Sequence, residues 1–260
     1  MIRDFYESLA FYTKDRKSLT NEIIEDIKRK EKKFVVTANP EIIVNALKRN
    51  KYDSIIRNAN YVIADGIGII FAAKLLKKNL PTHVPGIELM EDLLNRAVDL
   101  KLNVYLLGST EPILHRAVKN IEEKYKGIKI CGYHHGYFRN VESVISDIKK
   151  AKPDIVFVAL GSPIQEEFIS DHLSLFEKGI FIGVGGSIDV LSGYTKRAPL
   201  LMRKLSLEWA YRILTHPRRI KKVNTLFYFV ITVFIVKLAS ILLLSQFLSK
   251  KQEEVIDSSK

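Results

Sequence analysis

The feature that most constrains this chain is an alternation. Short apolar runs rich in β-branched residues, bounded by turn residues, trade places with stretches whose apolar residues recur at helical spacing. The runs cover residues 34–38, 61–64, 103–108, 128–133, 154–160 and 179–185. Helical stretches between them include residues 40–50, 86–100, 111–125 and 141–151. Parallel neighbours need a crossover, and a helix is the usual crossover, so strand–helix alternation predicts an α/β fold. The expectation is a mainly parallel, Rossmann-like sheet with helices on both faces. The strands stop after about Thr195. The predicted organisation is an α/β domain over residues 1–195, a basic helical appendage over 196–222, an apolar membrane-associating segment over 223–249 and a polar tail over 250–260.

With 260 residues, 47% of them hydrophobic, the chain can bury a sizeable core. Its one cysteine, Cys131, excludes an intrachain disulfide and fits a reducing compartment. Residues 1–17 scatter charges among apolar residues and lack the apolar core of a signal peptide, so the chain is expected to start and stay in the cytoplasm. The net charge of +12 is concentrated: between Gly193 and Lys222 there are nine lysines and arginines and a single acid, Glu208. Such a patch suits nucleic acid, anionic headgroups or a diphosphate. No recognised nucleic-acid-binding motif accompanies it. Residues 226–249, which follow, are apolar apart from Lys237 and a few small polar residues. At about 1.5 Å of rise per residue they match a hydrocarbon core of roughly 30 Å. Lys237 opposes insertion by on the order of 3 kcal/mol. The segment is therefore expected to span a membrane or lie in its interface, with the basic patch keeping that side cytoplasmic. An apolar helix buried in an oligomer is the alternative.

Ligands of open parallel sheets bind at the carboxyl ends of the strands. The residues there are Thr37 and Asn39, Asp65, Gly108 and Ser109, Gly132, Tyr133, Gly136 and Tyr137, Gly161, Ser162 and Gln165, then Gly183, Gly185, Gly186 and Asp189. They are expected to converge on one rim. Residues 183–189, GVGGSID, could bring backbone N–H groups to a phosphate, but they form neither a complete dinucleotide fingerprint nor a P-loop. In residues 159–168, ALGSPIQEEF, Ser162 could cap a helix whose first turn favours Glu166 and Glu167. That leaves Gln165 at the rim without an explanation. Asp65, in IADGIG, could cap the next helix, bind a metal or act as a general base. There is no Asp-x-Asp and no Cys/His cluster with zinc spacing, so no metal or other cofactor is expected.

The ordered segments VVTANPEIIVNAL, VIADGIGII, VPGIELMEDL, VYLLGS, GYF, PDIVFVALGSPIQEEF, IGVGGSIDVLSGYTKRAP and LSLEWAYRILTHPRR resemble the WecG/TagA/CpsF glycosyltransferase family, glycosyltransferase family 26. The resemblance covers roughly residues 34–222. It implies an inverting, metal-independent transfer of a sugar from a UDP-sugar to a polyprenyl-diphosphate-linked GlcNAc acceptor at the cytoplasmic membrane face. N-acetylmannosamine is the first expectation for the sugar and its uronic acid the second. Asp65 would be the catalytic base, with Thr37, Asn39 and Gln165 beside the substrates. Gly108, Tyr137, Gly161, Gly185, Gly186 and Asp189 would line the substrate site. His83 stands where the family often has an arginine that helps hold the diphosphate; an imidazole grips phosphate less firmly than a guanidinium. Arg212, Arg218 and Arg219 match appendage arginines that would stabilise departing UDP. Self-association is a further implication. A membrane-tethered UDP-sugar binder without turnover is the rival from another class.

Overall fold

The computed structural model describes residues 10–77, 80, 83–204, 208–215 and 223–239. Six strands form one parallel sheet in the order β2-β1-β6-β5-β3-β4. They are β1 (Lys32–Ala38), β2 (Tyr61–Ala64), β3 (Asn103–Gly108), β4 (Lys129–His134), β5 (Ile155–Ala159) and β6 (Gly179–Gly183). Each falls on one of the expected apolar runs, shifted at its ends by a few residues. The four inner strands read as continuous apolar runs because both their faces are covered. In β1, Phe34, Val36 and Ala38 enter one core and Val35 enters the other. In β6, Phe181 faces the first core, and Ile180 and Ile182 the second.

The first core is closed by α2 (Pro40–Lys48), α3 (Asn50–Arg57), α4 (Ile67–Leu75), α7 (Val141–Ala151) and α8 (Ile164–His172). The second is closed by α1 (Arg16–Lys28), α5 (Gly86–Asp99), α6 (Glu111–Lys124) and the short α9 (Ser187–Leu191). The helix α1 was not anticipated. It carries only one apolar stripe, Leu19, Ile23, Ile24 and Ile27, among many charges. The chain after β1 goes to the first face and the chain after β6 to the second. These two strands are neighbours, so a crevice opens between their carboxyl ends, as at other topological switch points.

Two short helices, α10 (Leu200–Lys204) and α11 (Glu208–Thr215), follow the sheet. Then comes α12 (residues 223–239), the described part of the expected membrane segment. It packs against its own domain, an arrangement the sequence reading did not consider. Phe229 and Val233 are buried in the first core. The Phe229 ring lies over Gly68 of α4, and Lys48 stands 4.6 Å from the centre of the Tyr228 ring. No helix among the described residues is long and apolar enough to cross a membrane. The rest of the apolar segment and the polar tail lie outside the described residues.

Phe157 of β5 is fully buried at the centre of the second core. Its replacement by alanine should lower stability by about 3–5 kcal/mol. Urea unfolding should show a lower midpoint with an unchanged slope.

Candidate active site

Asp65 follows the last residue of β2, and its backbone N–H donates to the Ala38 carbonyl at 2.8 Å. The next residue, Gly66, takes φ 111° and turns the chain into α4. Gly66 occupies the cap position of that helix, and no side chain caps it. The capping explanation for Asp65 therefore falls away. Its carboxylate is 32% exposed at the mouth of the sheet, with His83 Nε2 3.8 Å from Oδ1. The segment carrying His83 is tied to β2 by the Val84 N–H, which donates to the Ala64 carbonyl at 2.9 Å. Beside Asp65, α5 begins at Gly86. A Cβ there would stand 3.0 Å from Thr37 Cγ2 and 3.4 Å from Asp65 Oδ2. Glycine lets the positive end of a helix come this close to a carboxylate.

Thr37 and Asn39 are positioned by β1 and the start of α2. Thr37 is buried, and its hydroxyl donates to the Gly183 carbonyl at 2.7 Å, stitching β1 to β6 at the rim. Asn39 caps α2; its Oδ1 accepts from the N–H groups of Glu41 and Ile42 at 2.9 and 3.1 Å. Both side chains thus also hold the backbone from which Asp65 is approached.

Across the crevice lies a buried polar network. Gln165 is 2% exposed; its Oε1 accepts from the Gly185 N–H at 3.1 Å and its Nε2 donates to Glu166 Oε1 at 2.6 Å. Glu166 is fully buried, and its Oε2 accepts from Tyr52 at 2.8 Å. The Tyr52 hydroxyl also lies 2.9 Å from Ser162 Oγ. Burial pushes the Glu166 carboxyl up to about 7, against the pull of the hydrogen bonds from Gln165 and Tyr52. The Tyr52 hydroxyl is pushed up as well, first by burial and then by the neighbouring Glu166. Glu166 and Glu167 do lie in the first turn, as the sequence suggested, but Ser162 is not the cap. Instead, α8 follows Pro163 with no side-chain cap, and Glu166 points inward. The only sequence signal for Glu166 was the run of polar residues directly after a buried strand.

The far end of the rim is formed after β3 and β4. Ser109 donates to Asp189 Oδ1 at 2.7 Å, and the Gly136 N–H donates to the Ser109 carbonyl at 2.8 Å. Gly108 packs directly on Ala159, and Tyr137 stands 75% exposed. Gly161 and Gly185 face open space where a side chain would be, and Gly186 leads into α9. The structure thus brings Asp65, Thr37, Gln165, His83 and the glycines to one edge, with Tyr137 at its margin. Arg212 belongs to α11, and Arg218 and Arg219 lie outside the described residues. Among the described residues, no group of three or more His, Cys, Asp or Glu could hold a metal ion.

The Glu166 network has a pH signature. Its carboxyl titrates near 4.5 in the unfolded chain and about 7 in the folded one, so the native state binds the proton more tightly. The resulting stability is complete below the unfolded value and is lost as pH rises through about 7. Relative to Glu166→Gln, the wild-type chain should lose on the order of 3 kcal/mol between pH 4.5 and 8. Urea denaturation of the two proteins across that range measures it.

The profile of the glycosyl transferase WecG/TagA/CpsF family matches residues 8–241, past both ends of the segment that carries the resemblance and through α12. A Staphylococcus aureus protein is 41% identical over 207 residues, 79% of each chain. A Bacillus spizizenii protein is 39% identical over 186 residues, 72% of each chain. Both relatives are N-acetylglucosaminyldiphosphoundecaprenol N-acetyl-beta-D-mannosaminyltransferases. A parallel sheet with its polar rim and a match over most of its length lead to one conclusion: the chain belongs to the WecG/TagA/CpsF family of glycosyltransferases.

Proposed function

We propose that this glycosyltransferase moves N-acetylmannosamine from a UDP-sugar to GlcNAc-diphospho-undecaprenol, with inversion, without a metal and at the cytoplasmic face of the membrane. The observation that carries the reading is Asp65. It is a part-exposed carboxylate at a strand end that caps no helix and lies beside a helix start. The names of the relatives support the choice of sugar and acceptor.

In this reading the acceptor's 4-hydroxyl lies against Asp65. The carboxylate takes its proton while the oxygen attacks the anomeric carbon from the face opposite UDP. The new C–O bond forms as the bond to the diphosphate breaks, and UDP leaves with the electron pair. Thr37 and Asn39 hold the backbone around the nucleophile. Gln165, clamped by Glu166, fixes the Gly185 turn on the donor side. Gly108, Gly161, Gly186, Asp189 and Tyr137 line the donor's path along the rim. Charge on the leaving diphosphate is met by the His83 imidazole and by the cations Arg212, Arg218 and Arg219 from the appendage. His83 has a second task here, because it lies near enough to Asp65 to orient it. The C-terminal segment, apolar and preceded by bases, holds the enzyme at the lipid surface.

Radiolabelled sugar transfer to a short-chain GlcNAc-diphospho-lipid tests the proposal. Wild type should use UDP-N-acetylmannosamine in the presence of EDTA. Asp65→Asn should lose about 10²–10⁴-fold in kcat while still binding UDP. Transfer from the uronic acid donor alone would reassign the sugar. Binding of UDP with no transfer from either donor would make the chain a binder.

A further inference from the structure

The helix α12 is apolar on two sides. Phe229, Thr232 and Val233 face its own domain and are buried. Phe227, Ile231, Phe234 and Ile235 form a second stripe at helical spacing and stay exposed. A helix apolar all round needs a cover on each side. The catalytic domain extends the exposed stripe. On α4, Ile67 and Phe71 are 38% and 48% exposed, and the Phe71 and Phe234 rings lie 6.4 Å apart. Lys74, three residues beyond Phe71, is also exposed. The two elements meet where Phe229 crosses Gly68, three residues past Asp65. One apolar face therefore runs from the far end of α12 to the turn that carries Asp65.

We propose that α4 and α12 together form a seat in an anionic bilayer, with the catalytic domain itself touching lipid through Ile67 and Phe71 beside the active-site mouth. The inference rests on the lipid-linked acceptor of the proposed function and adds a contact to it. Two observations select a bilayer as the occupant. The apolar stripe is bordered by positive charge, Lys74 on α4 and Lys48 over the Tyr228 ring, with the base-rich residues 193–222 preceding α12 in the chain, of which Arg197 is held by Glu88 and Glu91. The stripe also ends at the residue that must meet a diphosphate anchored by a polyprenyl chain. Held against the domain through Phe229, Thr232 and Val233 at its middle, α12 lies in the plane of the interface and does not cross it. Its buried side docks the protein, and its exposed side enters the acyl boundary together with Ile67 and Phe71. Asp65 is thereby held at headgroup depth, where the acceptor's sugar and diphosphate are.

The test uses the full chain, with Phe71→Glu on α4 and Ile235→Glu on α12 as separate variants. Thermal melting checks that each is folded. Sedimentation is measured with vesicles of phosphatidylglycerol and phosphatidylcholine. Transfer is measured on a long-chain acceptor in those vesicles and on a water-soluble short-chain acceptor. Each variant should lose about tenfold or more in vesicle partitioning. Each should also lose several-fold more transfer to the vesicle-borne acceptor than to the soluble one. Wild-type partitioning by folded Phe71→Glu would overturn the α4 contact. So would a wild-type chain that ignores vesicles but forms dimers that Phe71→Glu dissociates, which would make the face a contact between copies. If wild type transfers to neither acceptor while both variants still leave the vesicles, the seat stands and the transferase reading falls.

Discussion

Two strands separated by most of the domain's sequence meet inside the sheet, and the site depends on that meeting. β1 pairs with β6 in parallel, Val36 opposite Gly183, and the Thr37 hydroxyl closes the seam at its carboxyl end. Because every strand runs the same way, the seam delivers all the loop residues to one edge. It also fixes Thr37 as the wall against which Gly86 packs, and Gly86 in turn bounds the space left for the Asp65 carboxylate. A shift of one residue in this pairing would move Thr37 to the other face and undo both contacts.

On the other side of the seam the fold keeps a carboxylate where water does not reach. Burying Glu166 opposes its ionisation, but the group is not idle. It receives Gln165 on one oxygen and Tyr52 on the other, which leaves Gln165 a single orientation toward Gly185. An apolar residue would be cheaper in stability. It would also release the amide, and with it the turn that borders the crevice. The two sides of the site are therefore built differently: a part-exposed acid over a glycine approach, and a dry network behind a glycine turn.

The strands were legible because a strand covered on both faces leaves an uninterrupted apolar run. Asp65 and Gln165 were legible as polar residues placed directly after such runs. The rest depended on distance. Nothing near Asp65 in sequence excludes a helix cap; that is done by Gly66, which takes the cap position itself. Glu166 had a satisfactory local explanation at a helix start, and only Tyr52, over a hundred residues away, reveals that it is buried. For α12, an apolar segment after a basic patch reads as a membrane element. Its docking places Phe229 over Gly68 of α4, a long-range contact that composition does not reveal.

The β1–β6 seam also sets an order of events during synthesis. β2 and β1 can pair as soon as both have been made, but the second edge of β1 stays open until the ribosome has passed Gly183. Until then a run of buried apolar residues with unpaired backbone groups is available to any other chain. The rim at the carboxyl ends of the strands is therefore a late product of folding. A nascent chain cut short before β6 would carry Asp65 and Thr37 without the seam that fixes Thr37 in place, and would be a target for chaperones.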